Sequence, residues 1–319
     1  MKTFLSKFKF LAFSIFTIIL SYMLWYVAKE QSGAIKMLLT QLGYFVPTLI
    51  AISLVIFIKQ NDKPFKVKSF LPFIVVIISI ITISLIFGDQ YHQIGIEKLL
   101  IENPIISIIT LITVIYFILQ VSINKGINPI DRLVNLPKTK FFWYALAIGI
   151  YPVLKFIGVL VSVRLFPSQI EMPSINLLIL IPLFLFSIIF YAGIGEEVGW
   201  RGFALKELQM KYNPFVASIF IGIVWSIWHV GYFTLVEDYA LQNLPSVVVW
   251  TFMASFFSTW LFNKTKGNVL ILILFHASVN FAIIFTPHPA VVAAIHFILL
   301  IIVLSTGHFF KKTKHAHII

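Results

Sequence analysis

The sequence predicts an all-α, polytopic transmembrane helical bundle of about ten spans, and three observations carry that expectation. The chain is 60% hydrophobic and 11% charged, with a mean hydropathy of +0.98, a balance that excludes an ordinary soluble domain. Apolar runs of about 20 residues, the length of helix that crosses a bilayer, recur from end to end. The alternating segments of about ten residues that mark a membrane β-barrel do not occur in it.

Taken in order, the spans fall at 8–28, 38–58, 70–88, 104–123, 141–163, 175–205, 213–235, 246–262, 268–286 and 289–307. Met1 to Lys9 has the composition of a signal n-region. No small-residue cleavage site follows, so the first run is expected to stay as a span. Asn213-Pro214 reads as a helix start, with Asn as cap and Pro at the first position. The loops alternate in charge. Lys2, Lys7 and Lys9, then Lys59, Lys63, Lys66 and Lys68, then Lys125, Arg132, Lys138 and Lys140 fall on one side. Lys206, Lys211, Lys264, Lys266, Lys311, Lys312 and Lys314 complete that side. The opposite loops are poorer in Lys and Arg and hold Asp89, Glu97, Glu102, Glu237 and Asp238. This bias predicts an integral membrane protein with both termini in the cytoplasm. It also accounts for the net charge of +12 without a nucleic-acid partner. There are no cysteines, so disulfide and thiolate chemistry are excluded.

The gap 124–140 contains Asn-Pro and Leu-Pro turn signals and divides the chain. Residues 1–125 form a four-span section with almost no buried polar chemistry and no role legible in the sequence. Residues 140–305 form a six-span core that carries the ionisable groups, and 308–319 is a basic tail. Ionisable side chains at membrane depth are costly and mark function. Here they concentrate in Gly193-Ile-Gly-Glu-Glu-Val-Gly-Trp-Arg-Gly202. At 100° per residue Arg201 lies roughly 40° around the helix from Glu197 and about 140° from Glu196. Glu197 and Arg201 are thus expected to pair. Glu196 points elsewhere and is the candidate acid or base, because a carboxylate taken out of water is a stronger base. Counted from Lys206, Glu196 lies roughly 15 Å into the membrane, and His276 lies at a similar depth counted from Lys266.

Two later helices supply partners. His229 lies in an apolar helix, with Trp225 one turn before it as a pocket wall or a packing residue. His276 and Asn280 are four apart and share a face. His229 fits the depth ruler less well, since a straight helix puts it about 27 Å beyond Lys211. One carboxylate, two imidazoles and a carboxamide on three helices suit the activation of a water, compatible with peptide hydrolysis inside the membrane. Glu196, His229 and His276 would alternatively serve as three zinc ligands with an open fourth position, although no His-Glu-x-x-His pair is present. Lys155 reads as a snorkelling residue and His296 as a packing histidine.

These residues resemble the CAAX protease and bacteriocin-processing family of intramembrane proteases, the type II CAAX endopeptidase-like proteins. The family's Glu-Glu-x-x-x-Arg matches Glu196, Glu197 and Arg201, and its His-x-x-x-Asn matches His276 and Asn280. Its Phe-x-x-x-His matches at His229, with Trp225 in place of phenylalanine. The run from Gly195 to Leu205 followed by Trp225-Ser-Ile-Trp-His229 looks like a bacterial branch of the family where tryptophan is familiar, so the departure is read as minor. The resemblance covers about 140–305. It implies an all-helical membrane fold and an endopeptidase that hydrolyses a peptide bond of a membrane-associated or prenylated-type peptide at the bilayer. Glu196 would be the water-activating base, His229 and His276 would hold water or handle protons, and Asn280 would serve an oxyanion. Glu197 and Arg201 would support the site. Metal dependence, with zinc the possible ion, stays open. The expected setting is a bacterial cytoplasmic membrane, with a membrane-bound peptide or protein as partner. Two other classes stand beside this reading: a non-enzymatic binding or scaffold protein using the same polar cavity, and a proton-coupled transporter. The transporter would favour broken helices in two matching halves, and only one half here is polar.

Overall fold

In a lipid interior every backbone polar group has to be satisfied within its own helix or around a closed barrel, and the apolar runs of this chain take the first course. The structure, a computed structural model, describes residues 8–59, 70–123, 137–167, 177–190 and 193–312. Its helices are α1 (Lys9–Lys29), α2 (Gly33–Lys59), α3 (Leu71–Glu102), α4 (Pro104–Ile123), α5 (Phe141–Leu165), α6 (Leu177–Ile189) and α7 (Gly193–Gly199). After a π-helical turn (Trp200–Leu205) come α8 (Lys206–Gln209), α9 (Pro214–Leu235), α10 (Leu244–Lys264), α11 (Val269–Phe281) and α12 (Pro289–Thr306). Among the described residues there is no strand. Nine helical runs among the described residues are long and apolar enough to cross a membrane. Lys2, Lys7, Lys63, Lys66, Lys68, Lys125, Arg132 and Lys314, which carry part of the expected charge bias, lie outside the described residues, as do 175–176 and 191–192 within the expected span 175–205.

Two elements differ from expectation. The expected span 268–286 is a 13-residue helix, α11. It ends at Phe281, runs through a 3-10 turn (Ala282–Ile284) and becomes extended at Phe285 before Pro287 and Pro289. Its start is fixed by Asn268, whose side chain accepts from Ile271 N and donates to Thr139 Oγ1 and Tyr144 OH at 3.0 Å each. The expected span 70–88 instead continues helically to Glu102, interrupted at Gly95, where φ is 73°. Asp89, read as a loop residue, accepts from Ala34 N at 2.9 Å and so satisfies a donor at the open end of α2. The expected Asn213 cap is present, accepting from Val216 N at 3.0 Å.

The first two helices pack directly against the polar core. Helices in lipid associate through close packing and interhelical hydrogen bonds, and α1 and α2 supply both to the polar core. Trp228 Nε1 donates to Ser21 Oγ (2.8 Å), which donates to Gly43 O (2.9 Å), tying α9, α1 and α2 together. Trp25 packs against Trp228 with ring centroids 4.9 Å apart, and Phe13 meets the Trp200 ring edge-on at 5.1 Å. Thr48 Oγ1 on α2 donates to Ile194 O on α7 at 2.9 Å. A side-chain carbon at Gly195 would come within 2.8 Å of Tyr44 O, and one at Gly199 within 2.5 Å of the Pro47 backbone. Only glycine permits that approach, so α7 lies directly against α2.

Candidate active site

The glycine-rich segment around Glu196 brings charge into a fully packed interior. Glu196 and Glu197 are each 1% exposed and Arg201 is 0% exposed. Removing such groups from water costs several kcal/mol per ion unless they are paired and hydrogen-bonded, on the order of magnitude seen for buried ion pairs. The chain meets that cost locally. Glu197 and Arg201, one turn apart, pair at 2.9 Å between Oε1 and Nη1, as their spacing predicts. The π-helical turn begins at Trp200, inside this pair; such turns concentrate at functional sites.

The brace is larger than the sequence indicates. His276 Nδ1 donates to the same Glu197 Oε1 at 2.7 Å, so the carboxylate joins α7 to α11. An ionised carboxylate only accepts, which puts a proton on Nδ1 and turns Nε2 away from the brace. Glu197 Oε2 and Arg201 Nη2 remain buried without a protein partner.

Glu196 has different company. Among the described residues it forms no ion pair, and its Oε2 accepts from the indole Nε1 of Trp225 at 2.7 Å. Trp225 also places its ring 4.2 Å from the Arg201 guanidinium carbon. Its backbone oxygen accepts from His229 Nδ1 at 2.9 Å, which orients the imidazole and makes Nε2 its remaining acceptor. The His229 and His276 rings stand 4.9 and 6.1 Å from the indole. One indole therefore lies among Glu196, Arg201, His229 and His276. Asn280 is half-buried, one turn beyond His276 on α11. The sequence signal for Trp225 was present as a departure from the family motif, but nothing within its own helix shows that its N–H faces a carboxylate on another.

Whatever the depth ruler gives for His229, Trp225 joins it to Glu196: the indole Nε1 donates to Glu196 Oε2 and the backbone oxygen accepts from His229 Nδ1.

A cavity of ≈ 40 Å³ adjoins the brace, with Glu197, Trp225 and His276 on one wall. Tyr151, Trp250 and His296 are on another. His296 does more than pack. Its Nδ1 donates to Val292 O, so its Nε2 accepts from Tyr151 OH at 3.0 Å, and that hydroxyl accepts from Trp250 Nε1 at 3.2 Å. The chain links α5, α10 and α12.

Zinc held by Glu196, His229 and His276 would need the three side chains on one ion. Among the described residues no three His, Cys, Asp or Glu side chains gather closely enough to hold a metal. Both Nδ1 atoms are engaged by protein groups, as they are in histidines that bind zinc through Nε2, so these hydrogen bonds do not argue against an ion. It is the spacing of the three side chains that does not form a zinc cage in this arrangement.

Comparison with known proteins agrees with the motif reading. Residues 178–282, which include Glu196, Glu197, Arg201, His229, His276 and Asn280, match the family model of Type II CAAX prenyl endopeptidase Rce1-like proteins. The chain is similar to CAAX prenyl protease 2 of Methanococcus maripaludis, 33% identical over 93 residues. That stretch is 27% of this chain and 34% of the relative. It is also similar to lysostaphin resistance protein A of Staphylococcus haemolyticus, 33% identical over 28% of this chain and 23% of the relative. The Staphylococcus epidermidis protein of that name is 32% identical over 28% of this chain and 22% of its own length. The chain thus spans about a third or less of the curated relatives it matches.

Proposed function

We propose that this protein is an intramembrane endopeptidase that hydrolyses a peptide bond of a membrane-associated peptide, with Glu196 activating the attacking water. The observation that carries the proposal is the division of labour between two adjacent buried carboxylates. Glu197 is bound by Arg201 and His276, whereas Glu196 accepts from the neutral indole of Trp225 and, among the described residues, forms no ion pair. A base has to be able to take up a proton, and a carboxylate already committed to a guanidinium and an imidazole is poorly placed to do so.

In the proposed reaction Glu196 takes one proton from water as the oxygen attacks the scissile carbonyl carbon. The carbonyl oxygen becomes an oxyanion, received by the N–H groups of the Asn280 carboxamide. As the oxyanion collapses the C–N bond breaks, and Glu196 returns its proton to the leaving amine. His229 Nε2 is an acceptor that holds the water by its second hydrogen. Glu197 and Arg201 fix α7, and through His276 they fix α11.

The name of the archaeal relative supports a prenylated CAAX-type tail as the first substrate class to try. The lysine distribution supports the orientation with both termini in the cytoplasm. A second reading, a non-enzymatic membrane protein that binds a peptide in the same cavity, draws on the staphylococcal relatives, whose names record a resistance and no hydrolysis. Membrane-fraction proteomics separates the two. Native cells should contain new peptide termini that vanish in cells carrying Glu196→Gln, while the variant protein stays inserted. A Glu196→Gln strain that loses the biological phenotype with no terminus changed would favour binding.

A further inference from the structure

We infer that Trp225 is a positioning residue for the base, and that its indole N–H, which a phenylalanine at this motif position would lack, aims the Glu196 carboxylate. The inference rests on the endopeptidase reading for its kinetic consequence, but not for its geometry. Glu196 sits on α7 and Trp225 on α9, so their 2.7 Å contact is a link between helices. Trp225 is 3% exposed. A buried indole N–H usually finds an acceptor, and here that acceptor is the carboxylate itself. With Oε2 held, Oε1 is the oxygen left to take a proton from water.

The same residue sets the second imidazole. His229 Nδ1 donates to the Trp225 backbone oxygen, so one residue holds the base by its side chain and a histidine by its main chain. Its ring face lies 4.2 Å from the Arg201 guanidinium carbon, a cation–π contact that joins the brace to the base. Phenylalanine at 225 would keep the ring face and the backbone oxygen and remove the N–H alone. That substitution therefore isolates the proposed role.

Two measurements test it. In vesicles, with a quenched-fluorescent prenylated peptide as probe, Trp225→Phe should lower kcat on the order of 10- to 100-fold, the scale of a misaimed catalytic group, with KM unchanged. A packing role alone would change protein yield and thermal midpoint and leave kcat per folded molecule intact. In parallel, the chain carries seven tryptophans, and indole-15N labelling with Trp225→Phe as the assignment control identifies the Trp225 N–H resonance. In the native protein it should be shifted far downfield, and Glu196→Ala should return it upfield. An unmoved resonance in Glu196→Ala, or a Trp225→Phe enzyme with native kcat, overturns the inference. If the peptide probe is not cleaved even by the native protein, the endopeptidase reading for that substrate fails, and the resonance alone decides whether Trp225 holds Glu196.

Discussion

His276 Nδ1 donates to Glu197 Oε1 at 2.7 Å, on the same oxygen that Arg201 reaches at 2.9 Å. Two helices and three ionisable groups thus meet at one atom. The adjacent Glu196 is held by a neutral indole donor.

The brace is expected to be structural in its energetics. Arg201→Met would leave Glu197 buried without its cation, a change that costs about 3–5 kcal/mol. The double variant Glu197→Gln/Arg201→Met should recover part of that loss, because the two substitutions are coupled. Thermal unfolding in detergent reads both. A double variant whose loss equals the sum of the single losses would show that the pair does not act as a unit.

The close contact between α7 and α2 predicts a sharp contrast between glycines. Gly199→Ala would drive a carbon to 2.5 Å from the Pro47 backbone, and overpacking of this kind costs about 1–3 kcal/mol. Gly149 on α5 has nothing within 4 Å of the same added carbon, so Gly149→Ala should be neutral or stabilising by up to about 1 kcal/mol. Comparing thermal midpoints of the two variants checks this. Equal behaviour would contradict the packing described between α2 and α7.

The hydrogen-bond chain through Tyr151 predicts a stability effect separable from chemistry. Tyr151→Phe removes the acceptor for Trp250 and the donor for His296, and each stranded half-buried group costs at most about 1–3 kcal/mol. The thermal midpoint should fall while the cleavage rate per folded molecule is kept. A large loss of rate with an unchanged midpoint would place Tyr151 in the chemistry.

Much of the fold is legible in the sequence because lipid imposes a length and a polarity on every span, and both are visible in a single chain. The Glu197–Arg201 pair is legible for the same reason: helical spacing alone brings those two together. Contacts between helices are not. Nothing in the chain's periodicity says that His276 reaches Glu197, that Trp225 reaches Glu196, or that Tyr44 and Pro47 of the N-terminal section press on the glycines of α7. The shortness of α11 is set by the turn after Phe281, which the apolar run through Phe285 conceals.

Metal removal is expected to leave activity in place. With purified protein whose metal content is measured below one equivalent, cleavage should continue in the presence of a strong chelator. Loss of activity that returns only with added zinc would mean that Glu196, His229 and His276 regroup around an ion.

The most direct test of the central claim is the initial cleavage rate of a prenylated CAAX reporter by purified native protein and by Glu196→Gln in lipid vesicles. Removal of a general base costs on the order of 10²- to 10⁴-fold, and the account predicts a loss of that size with an unchanged thermal midpoint. A Glu196→Gln protein that cleaves at the native rate would contradict it, and most decisively if a folded Glu197→Gln protein were inactive.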